Sequence, residues 1–105
     1  MEPETAFKLG RTFGAGMGLG LTCGAVTGAF LVLGCTLGEV KETDREARLR
    51  AYDLAKEFTR RFEARRNTIE CRQLLGVDPG TAEGYAEAQA LGLFRTVCPG
   101  LVRDA

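Results

Sequence analysis

From Thr12 to Gly38 the chain carries no Lys, Arg, Asp or Glu, although 14 basic and 14 acidic residues crowd the remainder. An uncharged stretch of that length has to be covered, by protein or by lipid. At its start Gly14, Gly16, Gly18 and Gly20 alternate with Ala15, Met17 and Leu19. That density of glycine is poor helix material and predicts a loop or a frayed helix entrance. From about Leu19 to Leu37 the chain is apolar, too long for a strand and without period-2 alternation, which predicts a helix buried nearly all round. Gly20, Gly24 and Gly28 fall four apart and offer a flat stripe on which another helix can pack; Gly38 is the expected stop.

The window is long enough to span a bilayer, but the reading favours a core helix over a membrane span. Thr22, Thr27 and Thr36 interrupt the apolar run, the glycines dilute it, and no aromatic belt flanks its ends. A partner for it is also at hand. Ala47, Ala51, Leu54, Ala55, Phe58 and Phe62 recur at intervals of three and four, predicting an amphipathic helix over about 44–66 with one apolar face. After a polar link, Glu39 to Glu42, Thr43-Asp44-Arg45-Glu46 has the form of a capping box for that helix.

Shorter elements flank this pair. A helix is expected from Glu4 to Phe13. Asn67-Thr68-Ile69-Glu70 repeats the cap pattern ahead of a short helix, Ile69 to Leu75, ended by Gly76. Asp78-Pro79-Gly80 reads as a turn, and Thr81 as the cap of a helix from Ala82 to about Leu91, with Ala86, Ala90 and Leu93 as its small buried side. Pro99 suits the first position of a last helical turn, with Cys98 as the cap. Nothing reads as strand. The expected fold is all-α: one domain over residues 1–105, a small helical bundle around a buried Gly-rich central helix packed on the long amphipathic one, then short C-terminal helices.

Composition removes several kinds of function. With acids and bases in balance there is no global field to draw in nucleic acid or an anionic membrane, and no nucleic-acid partner is expected. Arg60, Arg61, Arg65 and Arg66 read as solvated helix surface. The chain has no histidine, so a Ser–His or Cys–His couple, a His-ligated haem and a Cys/His zinc site cannot be built within it. Gly14 to Gly20 has the wrong order for a dinucleotide fingerprint, and no Lys-Ser or Lys-Thr follows as a phosphate loop requires. The acidic start, Met-Glu-Pro-Glu-Thr, lacks the basic opening of a secretory signal, and a cytoplasmic location is the expectation.

In a reducing compartment, four cysteines are expected as redox thiols, metal ligands or small hydrophobes rather than as structural disulfides. Cys23, Cys35, Cys71 and Cys98 form no C-x-x-C pair, so a zinc ribbon and a thioredoxin motif are absent. Cys23 is expected in the first turn of the central helix, Cys71 near the start of the following short helix and Cys98 at a cap. Positive helix ends stabilise a thiolate, and Arg72 and Arg95 would add to that if they point inward. Cys35 lies twelve residues beyond Cys23, roughly 18 Å along a straight helix. It is expected as core or interface filler.

Five segments in order carry a family resemblance: Phe13-Gly14-Ala15-Gly16-Met17-Gly18, Thr22-Cys23-Gly24-Ala25-Val26-Thr27-Gly28, Glu70-Cys71-Arg72-Gln73-Leu74-Leu75-Gly76, Val97-Cys98-Pro99 and Val102-Arg103-Asp104-Ala105. Over essentially its whole length the chain resembles the C_GCAxxG_C_C family, whose redox activity is a conjecture drawn from its four cysteines. The resemblance implies that Cys23, Cys71 and Cys98 are family cysteines. It also implies a first cysteine in a helix ahead of the glycines, which this chain lacks. A three-cysteine site, or completion by a second subunit, is the expectation, and the uncovered apolar surface points to a homo-oligomer.

Three functions are then in view. In the first, Cys23, Cys71 and Cys98 converge for thiol–disulfide exchange, with Cys23 attacking and Cys71 or Cys98 resolving. In the second, the same three cysteines hold a metal ion or an iron–sulfur cluster. In the third, the cysteines are only buried, and the protein is a structural or adaptor subunit of a transport-linked complex. That last partner is implied by the resemblance, since family members are reported to be encoded near transporter genes.

Overall fold

The computed structural model describes residues 2–37 and 45–105. The expected stop at Gly38, the link Glu39 to Glu42, and Thr43 and Asp44 of the capping box lie outside the described residues. Among the described residues seven α-helices make up the fold: α1 (Pro3–Gly10), α2 (Gly24–Thr36), α3 (Arg45–Arg66), α4 (Cys71–Leu75), α5 (Ala82–Ala90), α6 (Leu93–Thr96) and α7 (Cys98–Asp104). Among the described residues there is no strand, only an isolated antiparallel bridge between Thr22 and Glu70. The all-α expectation holds. Nor is any described helix long and apolar enough to cross a membrane.

α3 is the helix that its spacing predicts. Ala47 and Phe62 are buried, Ala51, Ala55 and Phe58 half-buried on the same face, and only Leu54 of the expected set stays exposed. Against that face lies α2, whose Val26 is fully buried and whose Phe30 meets Phe58 edge-on, ring centres 6.0 Å apart. Phe58 in turn stacks on Phe62 at 6.1 Å. Leu101 of α7 completes a core of Cys23, Val26, Phe62 and Leu101, ringed by Ile69, Leu74 and Val97. Fully burying a side chain such as Phe62, Val26 or Leu101 contributes about 1.5–3 kcal/mol each.

The arginine cluster is used within the chain. Arg60 and Arg61 both pair with Glu57, one helical turn back. Arg66 Nε donates to Asp104 Oδ2 at 2.7 Å, with Arg65 3.9 Å from the same carboxylate, so the end of α3 is tied to the end of α7. The Glu57 pairs are exposed and add little stability, whereas the Arg66–Asp104 pair is half-buried.

Several expectations need correction. The central helix begins at Gly24, not Leu19. Ahead of it Ala15, Gly16, Met17, Gly18 and Gly20 all take left-handed backbone angles, between +52° and +69°, which coil the chain into a tight reversed turn. Gly20 belongs to that turn, so the stripe on α2 reduces to Gly24 and Gly28. Nor is α2 buried all round: Val26 alone is fully covered, while Leu31 and Val32 are 48% and 63% exposed. α5 keeps the expected cap, Thr81 Oγ1 accepting from Gly84 N at 3.0 Å, but buries Gly84 and Ala88 rather than Ala86 and Ala90. The Asp78-Pro79-Gly80 turn folds back onto its first coil, and a side chain at Gly84 would collide with the Asp78 carbonyl oxygen.

The second cap pattern closes a turn instead of a helix. Thr68 Oγ1 accepts from Glu70 N at 3.1 Å, and α4 starts one residue later with no side-chain cap. Gly76 ends α4 at φ +77°, as expected. Beyond α5 the chain breaks at Gly92 and continues as α6 and α7, nearly end to end, with Cys98 the first residue of α7 and Pro99 the second. The one-residue difference from the expected cap is within the ordinary scatter of helix ends.

Candidate thiol site

Backbone pairing brings the first two thiols together. Around the Thr22–Glu70 bridge, Cys23 N donates to Ile69 O at 2.7 Å and Cys71 N to Leu21 O at 2.5 Å. The start of α2 and the start of α4 are thus laced side by side, across 48 residues of sequence. Cys23 is the N-cap of α2, its carbonyl accepting from Val26 N at 2.9 Å and Thr27 N at 3.1 Å, with no bond from its side chain to the helix. Cys71 opens α4 and Cys98 opens α7. All three line one cavity of about 210 Å³, walled on its apolar sides by Leu74, Leu75, Phe94 and Leu101.

Cys23 and Cys71 are buried, Cys98 is half-buried, and all are free thiols. Cys35 is also free but exposed near the far end of α2, away from the cavity, so it is not core filler. Among the described residues no group of three or more His, Cys, Asp or Glu is arranged to hold a metal ion.

The glycine turn forms the cavity's outer support. Leu21 N donates to Gly16 O at 3.2 Å, closing the turn over Cys71. A methyl group on Gly16 would stand 2.9 Å from Cys71 Cβ and collide with Leu21 N. Gly16→Ala is therefore expected to cost about 1–3 kcal/mol, part from the left-handed angle and part from the clash. Gly18→Ala is the control, because φ there is +69° but nothing lies within 4 Å. Denaturant midpoints compare the two. Equal losses would mean that Gly16 does not pack on Cys71.

A family model described as "Putative redox-active protein (C_GCAxxG_C_C)" matches residues 1–105. The chain belongs to the C_GCAxxG_C_C family. No curated protein and no solved structure matches it.

In this C_GCAxxG_C_C protein Cys71 and Cys98 are not activated in the way that helix ends alone would suggest. Burial pushes the Cys71 thiol up to about 11, assisted by the negative charge of a thiolate at Cys23, then at Cys98, then by the Asp78 carboxylate. Cys98 is raised too, by burial first and by Cys23 second. Removal from water outweighs the helix-end field. Arginine does not compensate: Arg72 Nε turns to Glu70 Oε2 at 3.3 Å, and Arg95 is exposed. The proximity of Asp78 to Cys71 was not legible from the sequence, where Asp78 reads only as a turn former. Its Oδ1 does accept from Gly80 N at 2.8 Å in that role.

These shifts carry a pH dependence of definite sign. An unfolded thiol loses its proton near 9.0, whereas Cys71 keeps its own to about 11. Between those values the unfolded chain binds fewer protons than the folded one, so stability falls as pH rises. The denaturation midpoint is expected to drop across that window, and to drop less in Cys71→Ala. Superposable profiles for the two proteins would contradict a buried, protonated Cys71.

Proposed function

We propose that this protein performs thiol–disulfide exchange, with Cys23 attacking and Cys71 resolving. The supporting observation is the backbone bridge that sets Cys23 and Cys71 diagonally across from each other at a cavity also lined by Cys98. In the first step the Cys23 thiolate attacks one sulfur of a substrate disulfide. A mixed disulfide forms, and the other substrate sulfur leaves as a thiolate that takes a proton from water. In the second step Cys71 loses its proton and attacks Cys23 Sγ, forming the Cys23–Cys71 bond and releasing the second substrate thiol. The substrate gains two electrons and the protein loses them.

The electrostatics supply an order for these steps. Burial is the main cause that holds Cys71 protonated, and negative charge at Cys23 adds to it. Once Cys23 is tied up in a mixed disulfide that charge is gone, and Cys71 ionises more readily. Loss of that charge favours the second step over the first, while burial still acts on Cys71. Cys98, which lines the same cavity, is placed to exchange onward with either partner. Metal binding by the same thiols has no comparable support, since their sulfurs are not arranged as a ligand set.

Cys71→Ser tests the assignment. Treated with a small disulfide such as oxidised glutathione, the variant is expected to accumulate a stable mixed disulfide at Cys23, read by intact mass and peptide mapping. The parent protein should pass to an internal disulfide and release both halves of the probe. A Cys71→Ser protein that still clears the adduct at the parent rate would remove Cys71 from the resolving role.

A further inference from the structure

The helix that carries Cys23 is apolar on two opposite sides. Val26 and Phe30 face the core, whereas Gly28, Leu31, Val32 and Cys35 share the other side, at the spacing of three and four residues that marks one face. Among the described residues that outer side is unpartnered. Leu31 and Val32 are 48% and 63% exposed, Cys35 is exposed, and a side chain on Gly28 would meet nothing within 4 Å. Beside it runs an apolar groove of about 570 Å³ between α2, α3 and α7, lined among others by Gly28, Val32, Phe58 and Val102.

The amount of exposed surface says how large the cover must be. The chain exposes 7581 Å². An average folded monomer of 11.3 kDa exposes only about 5,700 Å². The excess, roughly 1,900 Å², to which the uncovered α1 also contributes, is of the size that one subunit of an intimate homodimer buries, since such interfaces remove about 2,000–5,000 Å² in total. The radius of gyration points the same way, at 15.0 Å against about 13 Å for a compact chain of this length.

We infer that a second copy of this chain covers the outer face of α2. α2 bears no charge, so two copies meet across a two-fold axis without repulsion. Each lays Leu31 and Val32 on the side-chain-free surface at Gly28 of the other, and the two Cys35 thiols are drawn toward the common axis. The groove shares Gly24, Ala25 and Val102 with the thiol cavity, so the second copy borders that cavity. The pairing stands independently of the exchange chemistry.

The protein under reducing conditions provides the test. Sedimentation equilibrium is expected to give a dimer at micromolar concentration. Leu31→Glu and Val32→Glu, exposed in the single chain and so compatible with its fold, are expected to weaken association by roughly 100-fold or more, since each places an unpaired carboxylate in an apolar contact. A short bismaleimide should join two chains through Cys35, and Cys35→Ser should abolish the product. A monomer at every concentration overturns the inference, as does a dimer indifferent to both charges. So does a cross-link mapping only to Cys98. The cross-linking result decides if the Glu variants fail to fold.

Discussion

Phe62→Ala is expected to remove about 3–5 kcal/mol of folding stability. Phe62 is 2% exposed and, with Val26, one of the two largest side chains buried completely. Its ring stacks on Phe58 and packs in one cluster with Cys23, Val26 and Leu101. A domain of this size is stable by only about 5–15 kcal/mol in all. A loss of that size would lower the melting temperature by something on the order of 15–25 °C. The effect should also reach the thiols, because the same cluster holds Cys23 in place. Guanidinium melts of the two proteins measure the loss, and a difference below about 1 kcal/mol would mean that Phe62 is not in a packed core.

Cys23→Ser should abolish reaction with disulfides while leaving the fold intact. A hydroxyl at that position is close in size but stays protonated at neutral pH, and it does not form the sulfur–sulfur bond on which exchange depends. The first-order loss of a small disulfide in the presence of the variant is expected to fall by at least about 100-fold, to the level set by residual thiols. Cys35→Ser, at an exposed position outside the cavity, should change that rate little. If Cys23→Ser retained the parent rate and Cys35→Ser did not, the reactive thiol would have been assigned to the wrong end of α2.

Particular elements explain what was readable from the residues alone. α3 was legible because Ala47, Ala51, Ala55, Phe58 and Phe62 repeat at the helical period, and Thr81 was legible because a hydroxyl three residues ahead of Gly84 N is a local device. Gly20 misled because a four-residue spacing looks like a helix stripe, whereas its backbone angle is +68° and the helix starts four residues on. Periodicity carries no information about left-handed turns. The bridge between Thr22 and Glu70 was invisible for a related reason: one pair of residues, far apart in order, leaves no pattern in either segment. The helix-start positions of Cys23, Cys71 and Cys98 could be read; the burial that raises Cys71 and Cys98 could not, because it comes from Leu74, Leu75, Phe94 and Leu101 closing around them.

The outer face of α2 shows how a correct pattern can still mispredict a single chain. The apolar run from Leu19 to Leu37 asks for cover on all sides, and α3 and α7 supply only part of it. Leu31 and Val32 are then exposed in one copy for the same reason that they would be covered in two.

Mapping the disulfide formed on mild oxidation of the dilute protein is the most direct measurement. A Cys23–Cys71 bond, made within one chain and reversed by dithiothreitol, is the predicted product. Oxidation that leaves both thiols free, or that engages Cys35 alone, would contradict the account.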